Sequence, residues 1–213
     1  MATKLILALD VTDFNESKKI VDELATRVEV FKIGSILFTR EGRNVIDYIH
    51  NKGRKVFLDL KFFDIPNTVQ EVCSAAAALG VEMFTIHLLG GKEMILSAMK
   101  GAAMGGKIPP LILGVTILTS TNAEILSEDM KVKLKLPDMV AHLAHMGYQE
   151  GVRGFVCSPL EIELLRKTLG SDAVLVTPGV RLAGDSLGDQ KRVMTPKKAK
   201  EQDRKSTRLN SSH

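Results

Sequence analysis

Short runs of apolar, mostly β-branched residues recur along the chain at a nearly regular interval. Successive runs start 24, 27, 26, 29, 42 and 21 residues apart, and segments with helical periodicity lie between them. Continuous apolar strands that alternate with amphipathic helices are typical of βα units, in which helices cover both faces of a parallel sheet. The seven predicted strands are residues 4–9, 28–33, 55–60, 81–86, 110–117, 152–157 and 173–176.

Two α/β architectures fit this alternation, the (β/α)₈ TIM barrel and the doubly wound open sheet. A doubly wound sheet gathers its site at one switch point, whereas a barrel takes functional residues from the carboxyl ends of many strands. Polar residues stand at or just beyond the ends of nearly all predicted strands; they are Asp10, Lys32, Asp59 with Lys61, His87, Thr116 with Thr119, Ser158 and Thr177. The pattern therefore favours the (β/α)₈ barrel.

A (β/α)₈ barrel needs an eighth strand, and the end of this sequence does not resemble one. Residues 201–213 contain one leucine and show no hydrophobic periodicity. We therefore predict that residues 1–202 form a single barrel domain in which the eighth βα unit is missing or replaced by an unrelated tail. Residues 203–213 are predicted to be a disordered tail that does not belong to the native sequence.

Composition and charge exclude several classes of protein. The net charge of +4 arises near the end of the chain, because residues 191–213 carry +6 and residues 1–190 carry −2. The basic balance is therefore a weak indication of nucleic-acid binding. No apolar run approaches the roughly 20 residues that span a bilayer, and Cys73 and Cys157 form no CxxC pair. We expect a cytoplasmic protein without nucleic-acid or membrane partners.

The densest group of charged residues follows the third predicted strand. Asp59 and Lys61 are two residues apart, so both side chains should lie on the same side of that strand. Lys32, near the end of the second strand, adds another ammonium group, and Asp64 adds a carboxylate in the following loop. Such an alternating set suits chemistry in which an anion is repelled or expelled and a proton is delivered, rather than a purely structural ion pair.

Six motifs resemble those of the bacterial orotidine 5′-phosphate decarboxylases, over about residues 5–200. They are LALD at 7–10, FKIG at 31–34, DLKFFDIPNT at 59–68, LTS at 118–120, VTPGVR at 176–181 and GDQKRVMTP at 188–196. The resemblance implies a carboxy-lyase that converts orotidine 5′-phosphate to UMP and carbon dioxide in pyrimidine biosynthesis. It also implies that the enzyme needs neither a metal nor an organic cofactor.

The same resemblance implies roles for individual residues. Lys61 would protonate the carbanion that forms at C6 of the pyrimidine, Asp59 would crowd the substrate carboxylate, and Lys32 and Asp64 would complete the charge network. The implied substrate contacts are Asp10 and Lys32 to the ribose, Thr119 to the pyrimidine, and Arg181 and Gln190 to the phosphate. Asp64 and Thr68 would reach the site of the neighbouring subunit, which requires a homodimer.

Other interpretations remain open from the sequence. The phosphate-binding Gly-Arg pair that ends the family's last strand is absent, so an inactive or weakly active barrel fragment is one alternative. A metal-dependent sugar-phosphate decarboxylase of the same superfamily is another, although a fixed ammonium at Lys32 would repel Mg²⁺. Residues 101–107, GAAMGGK, fit most of a phosphate-binding loop but are interpreted as a helix exit. His87 is either a site residue or a structural hydrogen-bonding group.

Overall fold

In the computed structural model, which describes residues 4–178 and the backbone of residues 207–212, parallel strands close into a barrel in chain order. They are β1 (Lys4–Ala8), β2 (Val30–Gly34), β3 (Lys55–Phe62), β4 (Met83–His87), β5 (Leu111–Val115), β6 (Gly154–Val156), β7 (Val174–Thr177) and β8 (Thr207–Ser212). Strands β1–β7 confirm the seven predicted ones, with bounds that differ by at most two residues.

Helices pack around the outside of this barrel. They are α1 (Phe14–Leu24), α2 (Ser35–Glu41), α3 (Arg43–Asn51), α4 (Pro66–Ala78), α5 (Gly91–Met104), α6 (Leu136–Gln149) and α7 (Ile162–Leu169). In α3, for example, the buried residues are Val45, Ile46 and Ile49, which form an apolar stripe on one side of the helix. No helix within the described ranges is long and apolar enough to cross a membrane.

A small apolar core fills the interior of the barrel. Its buried members are Ile6, Val30, Phe57, Met83, Leu113 and Val176, one from each of six strands. Alternate residues of a strand point to the same face of a sheet. The next inward positions on β2, β3 and β4 are therefore Lys32, Asp59 and Thr85, so the lining changes from apolar to polar toward the carboxyl ends of the strands.

The structure differs from the sequence prediction at the eighth strand. Thr207–Ser212, which we expected to lie in a disordered tail, form β8 and pair in parallel with both β7 and β1. Their polar composition gives no periodic signal that would predict a strand. The position between β7 and β1 nevertheless offers two edges of unpaired backbone N–H and C=O groups, and a strand can satisfy those groups whatever its side chains.

The amino-terminal ends of β1 to β4 carry an alternating ladder of surface ion pairs. Glu29 lies 2.9 Å from the Lys4 ammonium and 3.4 Å from that of Lys55, and Lys55 lies 3.1 Å from Glu82. The hydrogen bond from Lys4 lowers the pKa of the Glu29 carboxyl group. Because exposed pairs contribute only about 0–1 kcal/mol each, this ladder is a modest contribution to stability at the end of the barrel opposite the polar lining.

Helices α4 and α5 touch through their backbones at two glycines. A Cβ atom at Gly101 would overlap the carbonyl oxygen of Gln70, and one at Gly105 would overlap that of Ser74. Gly101 lies within α5, and Gly105 caps its carboxyl end. The glycine-rich segment at residues 101–107 thus contains the predicted helix exit. It also forms a contact surface, at which the absence of a side chain on glycine lets two helices approach closely.

We expect the Gly101→Ala substitution to lower the free energy of unfolding by about 1–3 kcal/mol, the usual cost of overpacking. The overlap with Gln70 should outweigh the gain of about 1 kcal/mol that alanine brings to a helix. Lys100→Ala, at the exposed preceding position, is the matched control and should change stability by less than about 0.5 kcal/mol. Urea denaturation measures both, and a more stable Gly101→Ala protein would contradict the backbone contact.

Candidate active site

A bulge in β3 shapes the carboxyl end of the barrel. Between the pairs Leu58–Phe84 and Phe62–Ile86, β3 advances four residues while β4 advances two. Residues 59–61 therefore lie opposite Thr85 alone. Within the bulge, Lys61 has a φ of 50°, a left-handed conformation that is unfavourable for a residue with a Cβ atom. Bulges and strained residues of this kind are found next to active sites more often than elsewhere.

Four of the predicted site residues form one continuous charge network above the inner core. The Lys32 ammonium lies 3.2 Å from Asp10 Oδ1 and 3.7 Å from Asp59 Oδ2. Lys61 Nζ donates to Asp59 Oδ1 at 2.9 Å. The order is thus Asp10, Lys32, Asp59, Lys61, with alternating sign, and the Asp59 carboxylate lies between two ammonium groups.

This network has a buried half and an open half. The side chains of Lys32 and Asp59 are 9% and 15% exposed, whereas those of Lys61 and Asp10 are 38% and 47% exposed. Interactions between the buried groups are the less screened, because solvent and salt reach them least. A molecule that approaches from solvent therefore meets Lys61 and Asp10, behind which Asp59 and Lys32 are held within the barrel.

Thr85 belongs to this cluster, and sequence reasoning missed it. Its fully buried hydroxyl oxygen accepts the backbone N–H of Lys61 at 2.8 Å, and the hydroxyl group lies 3.0 Å from Asp59 Oδ1, to which it donates. The position of Thr85 in the sequence could have identified it. Thr85 stands two residues before His87 in an otherwise apolar strand, and the alternation of side chains places it on the inward face.

His87 lies buried at the end of β4, where its ring packs against that of Phe63 at a centroid distance of 5.6 Å. Burial, and then the nearby positive charge of Lys61, lower the pKa of this imidazole below its usual range. Nδ1 has no hydrogen-bond partner among the described residues. The sequence left two roles open for His87, a site residue or a structural hydrogen-bonding group. Among the described residues, the structure does not show a structural hydrogen bond through Nδ1.

The other predicted site residues lie apart from the network. Asp64 is exposed in the loop between β3 and α4, its carboxylate accepts the Ile65 N–H at 2.6 Å, and it joins no ion pair within the described part of the chain. Thr68 is half-buried in the first turn of α4, and Thr119 is half-buried beyond the end of β5. Arg181 and Gln190 lie outside the described residues. Within the described residues, Asp64 therefore makes no ion pair with Lys32, Asp59 or Lys61 of its own chain.

The arrangement can repel one anionic group while it supplies positive charge and a proton to another part of the same molecule. Asp59 provides the fixed negative charge, and Lys61 is the ammonium group that is both hydrogen-bonded to it and open to solvent. Among residues 4–178, no group of three or more His, Cys, Asp or Glu side chains is placed to hold a metal ion.

Comparison of the sequence with known proteins gives matches over nearly its whole length. The sequence model of the orotidine 5′-phosphate decarboxylase / HUMPS family matches residues 3–205. The orotidine 5′-phosphate decarboxylase of Carboxydothermus hydrogenoformans is 48% identical over 204 residues, which cover 94% of this chain and 85% of that protein. The corresponding protein of a Nostoc species is 42% identical over 200 residues, covering 92% of this chain and 84% of that protein.

Solved structures show the same relationship in three dimensions. The crystal structure of orotidine 5′-phosphate decarboxylase from Lactobacillus acidophilus superposes with a TM-score of 0.85 at 36% identity, covering 98% of this chain and 90% of that one. An uncharacterized conserved protein from Geobacillus kaustophilus gives a TM-score of 0.86 at 29% identity, with the same coverage. Since sequence and fold agree over almost the entire chain, this protein belongs to the orotidine 5′-phosphate decarboxylase / HUMPS family.

Proposed function

We propose that this protein is an orotidine 5′-phosphate decarboxylase, which converts orotidine 5′-phosphate to UMP and carbon dioxide in pyrimidine biosynthesis. The proposal rests on the charge network of Asp10, Lys32, Asp59 and Lys61. This network lies at the carboxyl ends of the strands, in a barrel that belongs to the orotidine 5′-phosphate decarboxylase / HUMPS family. The relative of this name from Carboxydothermus hydrogenoformans is identical at 48% of the aligned residues. The reaction as proposed draws only on protein side chains and needs no cofactor.

Lys61 is the proposed proton donor. In the reaction, the bond between C6 and the carboxylate carbon breaks, carbon dioxide leaves, and the electron pair stays on C6. The Lys61 ammonium group then transfers a proton to C6, forms the C6–H bond and regains a proton from solvent. Positive charge that is already in place where negative charge develops lowers the barrier without reorganisation of solvent.

Asp59 is proposed to act on the substrate carboxylate by repulsion. Lys32 on one side and Lys61 with Thr85 on the other hold its two oxygens, so the carboxylate has little freedom to turn away from a bound anion. Repulsion of this kind is relieved as carbon dioxide departs. Destabilisation of the bound ground state in this way lowers the remaining barrier to the loss of carbon dioxide.

The remaining residues are proposed to bind the rest of the substrate. Asp10 and Lys32 would contact the ribose, and Thr119 the edge of the pyrimidine. Arg181 and Gln190 would bind the phosphate. Binding energy from a phosphate far from the reacting carbon can be used to hold the substrate against the repulsive carboxylate, which raises the rate rather than only the affinity.

We also propose that the protein is a homodimer, with Asp64 and Thr68 acting in the site of the neighbouring subunit. Asp64 is exposed and joins no ion pair of its own chain within the described residues, and the residues on both sides of it are exposed and apolar. Phe63 is 59% exposed and Ile65 is 68% exposed. An apolar surface beside a charged residue fits a region that a second subunit covers. Cys73 and Cys157 are buried free thiols, in keeping with a proposed cytoplasmic location.

The Lys61→Ala substitution should abolish decarboxylation and leave the barrel folded. Loss of a general acid alone lowers kcat/KM by about 10²- to 10⁴-fold, and the loss of positive charge adds to that. The decrease in ultraviolet absorbance of orotidine 5′-phosphate measures turnover, and circular dichroism measures folding.

Lys55→Ala is the matched control, since Lys55 is an ion-paired lysine at the opposite end of the same strand. It should keep wild-type turnover. Lys61→Ala protein that turned over at the wild-type rate would refute the role of Lys61. Folded wild-type protein without turnover would favour the inactive barrel, and turnover that EDTA abolished would favour a metal-dependent relative.

Mixing two inactive variants should restore activity if Asp64 acts across the dimer. Lys61→Ala and Asp64→Asn proteins, refolded together in equal amounts, should recover about a quarter of wild-type activity, because half of the dimers are mixed and each mixed dimer has one intact site. Each variant refolded alone is the control. If Asp64 served the site of its own chain, neither site of a mixed dimer would be intact and no activity would return.

Stability should fall at mildly acidic pH, in part because the fold keeps His87 neutral. Its pKa is lowered from the ordinary value of 6.5 by burial and then by Lys61, so the unfolded chain binds this proton first. The contribution to stability is complete above the unfolded-state pKa and is lost as the pH falls toward the folded-state pKa.

His87→Gln should therefore lose less unfolding free energy than the wild type between about pH 7.5 and pH 5. Urea denaturation at several pH values measures this difference. His142→Gln, at an exposed position on α6, is the control and should retain the wild-type dependence. Identical pH dependence in the wild type and His87→Gln would show that His87 is not held neutral by the fold.

A further inference from the structure

We propose that Thr85 is a positioning residue, whose hydroxyl group holds both the Asp59 carboxylate and the backbone of Lys61 in the geometry that the reaction needs. The role rests on the proposed function, because it concerns the same two residues. Thr85 itself touches no reacting atom in this proposal. It acts through Asp59 and Lys61, the first and last residues of the β3 bulge.

The first step of the argument is the pairing of strands. Thr85 is the single β4 residue that lies opposite the three β3 residues of the bulge. Where a strand bulges, the regular ladder of backbone hydrogen bonds is interrupted. The N–H of Lys61 is satisfied by a side chain instead, since it donates to Thr85 Oγ1 at 2.8 Å. The hydroxyl oxygen thus takes the place of a backbone acceptor at the point where Lys61 has its strained φ.

The second step is the direction of the hydrogen bonds. A threonine hydroxyl group has one proton to donate and lone pairs that accept. Since the oxygen accepts from Lys61, its own proton is available to Asp59 Oδ1, 3.0 Å away. The same carboxylate oxygen accepts from Lys61 Nζ at 2.9 Å. Thr85, Asp59 and Lys61 therefore close a ring, in which Lys61 is tied by its backbone at one end and by its ammonium group at the other.

The third step is burial. Thr85 is fully buried, and the side chain of Asp59 is only 15% exposed, so water cannot easily replace a lost partner. Without the hydroxyl group, the Lys61 N–H and one lone pair of Asp59 would both be left unsatisfied. We expect the bulge to relax toward another conformation, which moves the Lys61 ammonium group away from its working position. Small displacements of a reacting group can cost about 100-fold in rate.

The test compares Thr85→Val, which keeps the shape but removes the hydroxyl group, with Thr85→Ser, which keeps the hydroxyl group. For Thr85→Val we expect kcat to fall by about 10- to 100-fold while the KM for orotidine 5′-phosphate changes by less than about threefold. Thr85→Ser should recover kcat to within about threefold of the wild type. Thr85→Ala carries the same expectation as Thr85→Val and replaces it if that protein does not fold.

Thr116→Val is the matched control. Thr116 is also fully buried and directly follows the neighbouring strand β5, but its hydroxyl oxygen has no hydrogen-bond partner among the described residues. The same exchange of hydroxyl for methyl should there leave kcat within about twofold of the wild type, since no hydrogen bond is lost. Equal losses in Thr85→Val and Thr116→Val would mean that any such change in the barrel mouth is harmful, and would overturn the specific role.

A second measurement does not depend on turnover. Hydrogen exchange of the Lys61 amide should be slow in the wild type and Thr85→Ser and at least about tenfold faster in Thr85→Val, because its acceptor is lost. Unchanged exchange, unchanged kcat, or a rise in KM alone would each overturn the positioning role. Wild-type protein without turnover would overturn the proposed function, and the exchange rates would then decide separately whether Thr85 holds Lys61.

Discussion

In a closed parallel barrel, every second residue of each strand must point inward, and the site depends on that alternation. Val30, Phe57 and Met83 belong to the apolar layer inside the barrel. One inward position further along the same strands, the residues are Lys32, Asp59 and Thr85. Charged groups are therefore placed on a dry apolar layer, close enough that each must be neutralised by a neighbour. The order of charges from Asp10 to Lys61 is the arrangement that satisfies this requirement.

The bulge in β3 interrupts this alternation at Lys61, the proposed proton donor. Two additional residues enter β3 relative to β4, and Lys61 within this stretch adopts a left-handed conformation. Strain of this kind persists only where surrounding contacts overdetermine it. Here those contacts are the Thr85 hydroxyl group and the Asp59 carboxylate. The exposed ladder from Lys4 to Glu82 at the other end of the barrel involves neither a bulge nor burial, and its charges are screened by solvent.

Individual residues show how much of the fold and of the candidate site could be predicted from the sequence. The seven apolar runs identified β1 to β7, because buried parallel strands are continuous in their apolar character. Asp59 and Lys61 were correctly expected to lie together from their spacing, and Lys32 from its place at the end of a strand. Thr207–Ser212 escaped prediction, since the pairing of β8 with two neighbouring strands satisfies backbone groups and leaves no pattern in the side chains. That Asp64 joins no ion pair of its own chain within the described residues was equally unpredictable, because a loop has no periodicity.

The sequence by itself determined the alternation of strands and helices, the layer of charge at the carboxyl ends of the strands, and the family to which the motifs point. These properties are local, since they follow from the periodicity and spacing of residues along a single segment. Only the tertiary structure decided that Thr85, more than twenty residues from Asp59 in the chain, binds both partners across the bulge. That contact depends on the register between two strands, and register is set by the packing of the whole barrel rather than by either strand alone.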